Sequence, residues 1–137
     1  MRANMVMESE VRASLNKLNQ GFASRNVEMV LGLFAPDPDV VFIASEADEV
    51  ASGPTQLKAL VEELLSRPEV YSWDWQHILV SAAGSVAWIV APSSLINVRS
   101  SDGQRESFPY RLTGILERRG EDWMWVHFHG SEPSDEN

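Results

Sequence analysis

The apolar residues of this chain change period once, from alternating threes and fours to two, and that change limits the folds open to it. Before residue 70 the spacing is helical. Val11, Leu15, Leu18 and Phe22 recur at four, three and four residues, which is one stripe on a helix predicted over 7–24. Asn26 is placed to cap a second helix, with Glu28 in its electropositive first turn. Val27, Val30, Leu31 and Phe34 form that helix's stripe, and Pro36 and Pro38 stop it. Val40–Ala44 reads as a short strand and Ser45–Asp48 as a polar turn. A third helix starts at Ser52-Gly53-Pro54, buries Leu57, Leu60, Val61 and Leu64, and ends at Pro68.

Beyond residue 70 the pattern is that of strands. Trp73, Trp75, His77 and Leu79 alternate with Asp74, Gln76 and Ile78. Gly84 marks a turn, Val86–Val98 a long strand, and Asp102-Gly103 a hairpin. Strands over 105–118 and 123–131 follow, joined near Gly120. Three helices and one early strand, then a meander of four strands, define an α+β chain. Strands of about 40 Å twist and coil, leaving a hollow side that only the three helices can cover. The expected architecture is a single domain over 1–137: a cone-shaped, curved sheet wrapped by three N-terminal helices. Its core spans about 8–133, and the two ends, 1–6 and 132–137, are expected to fray.

Composition narrows the function. The formal net charge is −9, and an acidic surface repels phosphate backbones and anionic lipid heads, so neither nucleic acid nor a membrane is an expected partner. There are no cysteines, which removes disulfides, zinc–thiolate sites and thiol catalysis. Residues 1–7 lack a signal-peptide apolar region and no run approaches the about 20 residues of a membrane span, so the expected location is cytoplasmic. The scattered glycines form no phosphate loop, and no Gly-x-Ser-x-Gly elbow is present.

The residues best suited to chemistry lie on the last strand. Strict alternation puts Trp123, Trp125, His127, His129 and Ser131 on one face, and Met124, Val126 and Phe128 on the other. One face is expected to meet the helices and a pocket, the other a second copy of the sheet. Two histidines at i and i+2 are a weak metal signal, because the only third ligands on offer are His77 and Glu49; no metal and no cofactor is expected. Arg111, Thr113 and Ile115 share a face of the preceding strand. Arg111 is either a buried cation, needing Glu49, Asp74 or an anionic ligand, or a rim arginine. It shares a face with His129 if the turn holds an odd number of residues, as a Gly120-Glu121-Asp122 loop does. Trp88 and Phe42 are candidates for the pocket wall or the core, and Glu49 for a functional or a solvated acid.

Asp39-Val40-Val41-Phe42-Ile43-Ala44, Asp48-Glu49 and Gly53, then Arg111-Leu112-Thr113 and Trp123-Met124-Trp125-Val126-His127-Phe128-His129-Gly130-Ser131, resemble the SnoaL-like branch of the nuclear transport factor 2-like superfamily, over roughly residues 8–133. The resemblance implies a cystatin-like α+β roll: a curved sheet, three helices, an apolar cavity and usually a homodimer through the sheet. It places Arg111, Trp125, His127, His129 and Ser131 in segments that carry pocket residues, and Glu49 at a recurring acid. The superfamily holds polyketide cyclases, ketosteroid isomerase and dehydratases, and also the association domain of calcium/calmodulin-dependent kinase, so fold alone does not fix function. The isomerase's acid and tyrosine set has no match here, because neither Tyr71 nor Tyr110 has an evident acid partner.

Two functions follow. In the first, a cofactor-independent enzyme moves a proton on a small apolar carbonyl compound. His129 or His127 acts as base, Arg111 stabilises an enolate or carboxylate, and Trp125, Thr113, Ser131, Glu49, Trp88 and Phe42 bind the ligand. In the second, the same pocket binds without turnover and the sheet builds an assembly.

Overall fold

A computed structural model describes residues 2–133. It contains helices α1 (Met5–Ala23), α2 (Val27–Leu31) and α3 (Gly53–Ser66). Its strands are β1 (Val41–Ile43), β2 (Val50–Ser52), β3 (Val70–Asp74), β4 (Leu79–Ala83), β5 (Val86–Arg99), β6 (Arg105–Arg119) and β7 (Asp122–Ser131). The strands form one seven-stranded sheet in the order β2-β1-β7-β6-β5-β3, with β4 also paired to β5. All pairings are antiparallel except β1 with β7. This is the α+β roll read from the sequence.

The helices form where the stripes place them. Asn4 caps α1 by accepting from the Met7 N–H at 2.9 Å, and Asn26 caps α2 from Met29 at 3.1 Å. The helix α1 stripe of Val11, Leu15, Leu18 and Phe22 is buried, as are Leu57, Leu60, Val61 and Leu64 of α3. Helix α2 is shorter than its apolar pattern. Leu33 and Ala35 instead exchange backbone hydrogen bonds with Trp125, at 2.8 and 2.9 Å, and Phe34 runs beside β7. The amino end is also tied down, contrary to the expected fraying: the Ala3 N–H donates to Val80 at 3.1 Å. Residues 134–137, expected to fray, lie outside the described residues.

Three irregularities separate the sheet from its expected form. The strand expected through Trp73–Leu79 is two strands, β3 and β4, both on one edge of β5. Between them His77 takes φ 53°, a left-handed conformation that ends pairing. Strand β5 shifts register between Ala91 and Ser94, at the same gap. The third sits in the β6–β7 hairpin. Its loop is Gly120-Glu121, because Arg119 pairs with Asp122; the three-residue loop is not formed. Gly120 has φ 64°, as the first position of a two-residue type II′ turn requires. Leu116 then pairs with Trp125 but Ile115 with His127, so one extra residue bulges from β7.

That bulge reverses the strand. Trp123 and Trp125 face the helices, and so do Phe128 and Gly130 beyond it; His127, His129 and Ser131 face the other way. The five-residue row Trp123, Trp125, His127, His129, Ser131 is therefore split. Arg111 and His129 do share a face, through an even loop plus a bulge rather than an odd loop, and that face is the outer one.

The inner face is packed with rings. Trp125 is fully buried and donates its indole N–H to Ser14 Oγ of α1 at 2.9 Å. Phe128 stacks on Phe42 with centroids 4.9 Å apart. Two glycines make room for these rings. A Cβ at Gly114 would lie 2.4 Å from the Trp125 ring, and one at Gly130 would lie 1.7 Å from the Tyr110 hydroxyl oxygen. Gly114→Ala and Gly130→Ala are each expected to lower stability by about 1–3 kcal/mol, the usual cost of overpacking a filled core. Urea unfolding reads this out, and unchanged midpoints in both variants would contradict the packing.

Candidate functional site

Trp125, Trp123 and Phe128 occupy one end of the space between sheet and helices, but the other end stays open. There a cavity of about 280 Å³ lies between the β1–β2 turn, α1, α3 and the far halves of β3, β5 and β6. Its walls are Phe22, Phe42, Ala44, Leu64, Trp73, Ile96, Val98 and Phe108. Its polar groups are Ser45, Glu46, Glu49, Arg67, Tyr71, Tyr110 and Glu132.

Glu49 is the buried charge of the site. Its residue is only 3% exposed, which an unpaired carboxylate does not tolerate. Both oxygens are engaged. Oε2 accepts from Arg67 Nη1 at 2.8 Å, and Oε1 from the Glu46 N–H at 3.1 Å. The same guanidinium group donates to Glu63 Oε1 at 3.0 Å and reaches the Tyr71 hydroxyl at 3.4 Å. Glu49 is one of the partners that a buried Arg111 would need, beside Asp74 or an anionic ligand, but Arg111 lies on the outer face. The structure supplies Arg67, from the end of α3, because the Ser45–Asp48 turn folds Glu49 back toward that helix.

Tyr110 forms the inner wall of the cavity. It is 2% exposed, and its ring meets Trp73 and Trp75 edge-on at 5.9 and 6.0 Å. Burial raises its hydroxyl well above the ordinary tyrosine range, and the negative charges of Glu132 and Glu49 raise it further. It is a neutral hydrogen-bond donor at any physiological pH. The Trp73 indole acts on this hydroxyl in the opposite sense, yet its buried N–H forms no hydrogen bond of normal geometry. Glu132 closes the rim opposite, accepting from Ser45 Oγ at 2.6 Å.

Of the residues read from the sequence, Phe42 and Glu49 line this cavity. Trp125 is core, under Ser14. His127, His129, Arg111, Thr113, Ser131 and Trp88 stand on the outer face of the sheet, where the bulge puts the histidines, so the imidazoles do not project into the cavity. Among the described residues no three His, Cys, Asp or Glu side chains are grouped to hold a metal. Arg67 and Glu132 are not among the site residues read from the sequence, where Tyr71 and Tyr110 figure only as tyrosines without an evident acid partner. Gly114 and Gly130, glycines inside otherwise bulky strands, were the available signal that rings crowd the face carrying Tyr110.

The chain belongs to the SnoaL-like domain family, whose model matches residues 11–135. No curated protein matches it significantly. Among solved structures it is similar to a nuclear transport factor 2-like superfamily protein from Salmonella enterica serovar Typhimurium, with TM-score 0.81 and 16% identity over 98% of this chain and 96% of that one. It is also similar to a proposed dehydratase of the same superfamily from Streptomyces avermitilis, with TM-score 0.74 and 16% identity over 92% and 95%. A third is a proposed aromatic ring hydroxylase from Novosphingobium aromaticivorans, with TM-score 0.82 and 12% identity over 97% and 93%. At these identities the likeness is one of fold. No helix among the described residues is long and apolar enough to cross a membrane.

Glu49→Gln is expected to cost about 1–3 kcal/mol. This is less than a fully buried pair, because the Arg67 side chain keeps a quarter of its surface exposed. Combining it with Arg67→Met should recover part of that loss. A double-mutant cycle with no coupling would contradict the pairing.

Proposed function

We propose that the cavity binds a small, largely apolar carbonyl compound and that the protein moves a proton on it without a cofactor. The observation that carries this is Tyr110: a buried neutral hydroxyl on the inner wall, with the Glu132 carboxylate at the rim of the same cavity. Family membership supports small-molecule binding, and the volume suits a ligand below drug size. In this reading Tyr110 donates to the carbonyl oxygen, and Glu132 takes a proton from the neighbouring carbon. The negative charge passes from Glu132 to the oxygen under Tyr110, so the net charge of the cavity is unchanged. This assigns to Tyr110 and Glu132 the roles first read for Arg111 and the histidines.

Non-catalytic binding is the second reading. It is favoured by the placement of both strand histidines outside the cavity and by the full engagement of Glu49. Deuterium incorporation into small ketones in D₂O, followed by NMR, separates the two. The enzyme reading expects acceleration by the wild type and a loss of about 10²-fold or more in Glu132→Gln and in Tyr110→Phe. Ketones that bind without exchanging would establish the second reading.

We also propose that the outer sheet face joins two copies of the chain. Leu79, Trp88, Val90 and Ile115 are large apolar residues exposed side by side on it, flanked by His127, His129, Arg111, Thr113 and Ser131. Trp88→Glu is expected to convert a dimer to a monomer in analytical ultracentrifugation. A wild type that sediments as a monomer at its highest soluble concentration excludes this interface.

A further inference from the structure

The charge of the cavity is unbalanced. Its lining carries three carboxylates, Glu46, Glu49 and Glu132, against one guanidinium group, Arg67, leaving two negative charges uncompensated. The charge of Arg67 is already shared, since Glu63 outside the lining pairs with it as Glu49 does. Glu132 has a partner in the Ser45 hydroxyl, but among the described residues the Glu46 side chain makes no hydrogen bond or ion pair. Beside burial, the charges of Glu132 and Glu49 reach the inner wall, where they oppose ionisation of Tyr110.

Such a cavity disfavours an anionic ligand and rewards a positive one. Aromatic side chains add to the preference, because Phe42, Phe108, Tyr71 and Trp73 all line it, and ring faces attract cations. Tyr110 adds a second preference. Its hydroxyl donates to no acceptor among the hydrogen bonds of the described residues and lines the cavity, so an acceptor on the ligand can take its proton in a hydrogen bond.

We infer that the ligand is a small organic cation with a hydrogen-bond acceptor at its other end, the cationic group beside Glu46 at the rim and the acceptor on Tyr110 at the inner wall. This rests on the proposal that the cavity is a small-molecule site, and it names the class of molecule. It also serves the proton transfer. The negative charge stays inside the cavity throughout the transfer, and a positive group on the ligand offsets it at both ends of the step.

Three para-substituted acetophenones, the first two of one shape, separate this inference from the reading beneath it: 4-acetylphenyltrimethylammonium, 4-tert-butylacetophenone and 4-acetylbenzoate. All carry the same acetyl acceptor and differ in charge. Binding is followed by NMR titration of the intact protein, using the Tyr110 and Trp73 resonances. The cation is expected to bind about tenfold tighter than the neutral compound, with the benzoate weakest. Glu46→Gln, an exposed substitution with no packing role, should narrow the gap between cation and neutral compound, and so should added salt. If the neutral compound binds as tightly as the cation, or Glu46→Gln leaves the gap unchanged, the inference fails while the cavity remains a ligand site. If none of the three moves those resonances, the small-molecule site itself is overturned.

Discussion

Side chains alternate across a pleated strand, so one extra residue in a ladder reverses everything beyond it. In this protein the extra residue lies in β7, where the partners of Ile115 and Leu116 are His127 and Trp125. Without it Phe128 and Gly130 would point outward and the two histidines inward. With it the inner face keeps Trp123, Trp125 and Phe128 against the helices, and Gly130 clears the space into which the Tyr110 hydroxyl fits. The exclusion of the imidazoles from the cavity and the room for Tyr110 on its inner wall both follow from that reversal.

The core and the cavity are two ends of one space. Where β7 meets α1, the Trp125 indole fills the gap and satisfies its N–H on Ser14. Farther along, β5 is kinked by its own register shift, β3 and β4 part at His77, and the helices no longer supply enough side-chain volume to close the sheet. The Glu49–Arg67 pair fixes the β1–β2 turn to the end of α3 across this opening. A buried ion pair rarely adds much stability, but it holds geometry, and here it positions the rim while consuming the one guanidinium group of the lining. The residual negative charge is the result.

Periodicity carried the helices, the α+β class and most strand positions, because the stripes at Val11–Phe22 and Leu57–Leu64 and the alternation after Val86 each reflect one buried face. The sequence resemblance carried the family. Periodicity could not reveal the bulge, since Trp123 to Ser131 reads as a perfect alternation of two. The structure breaks that alternation to pack Phe128 on Phe42, a contact between segments more than eighty residues apart. Glu49 was recognisable as an isolated acid, yet its partner was not, because the ion pair depends on how a loop returns to a helix end. Tyr110 has no acid partner evident in the sequence, because Glu132 meets the same cavity only through the fold.

Cross-strand contacts between backbone α-protons and amides in β6 and β7 test this directly. NOE spectra of the labelled protein should show Leu116 opposite Trp125 and Thr113 opposite His129, with the register stepping by one residue between Leu116 and Ile115. An unbroken ladder, with Thr113 opposite Phe128, would turn the imidazoles toward the helices and contradict the account of the cavity built on Tyr110.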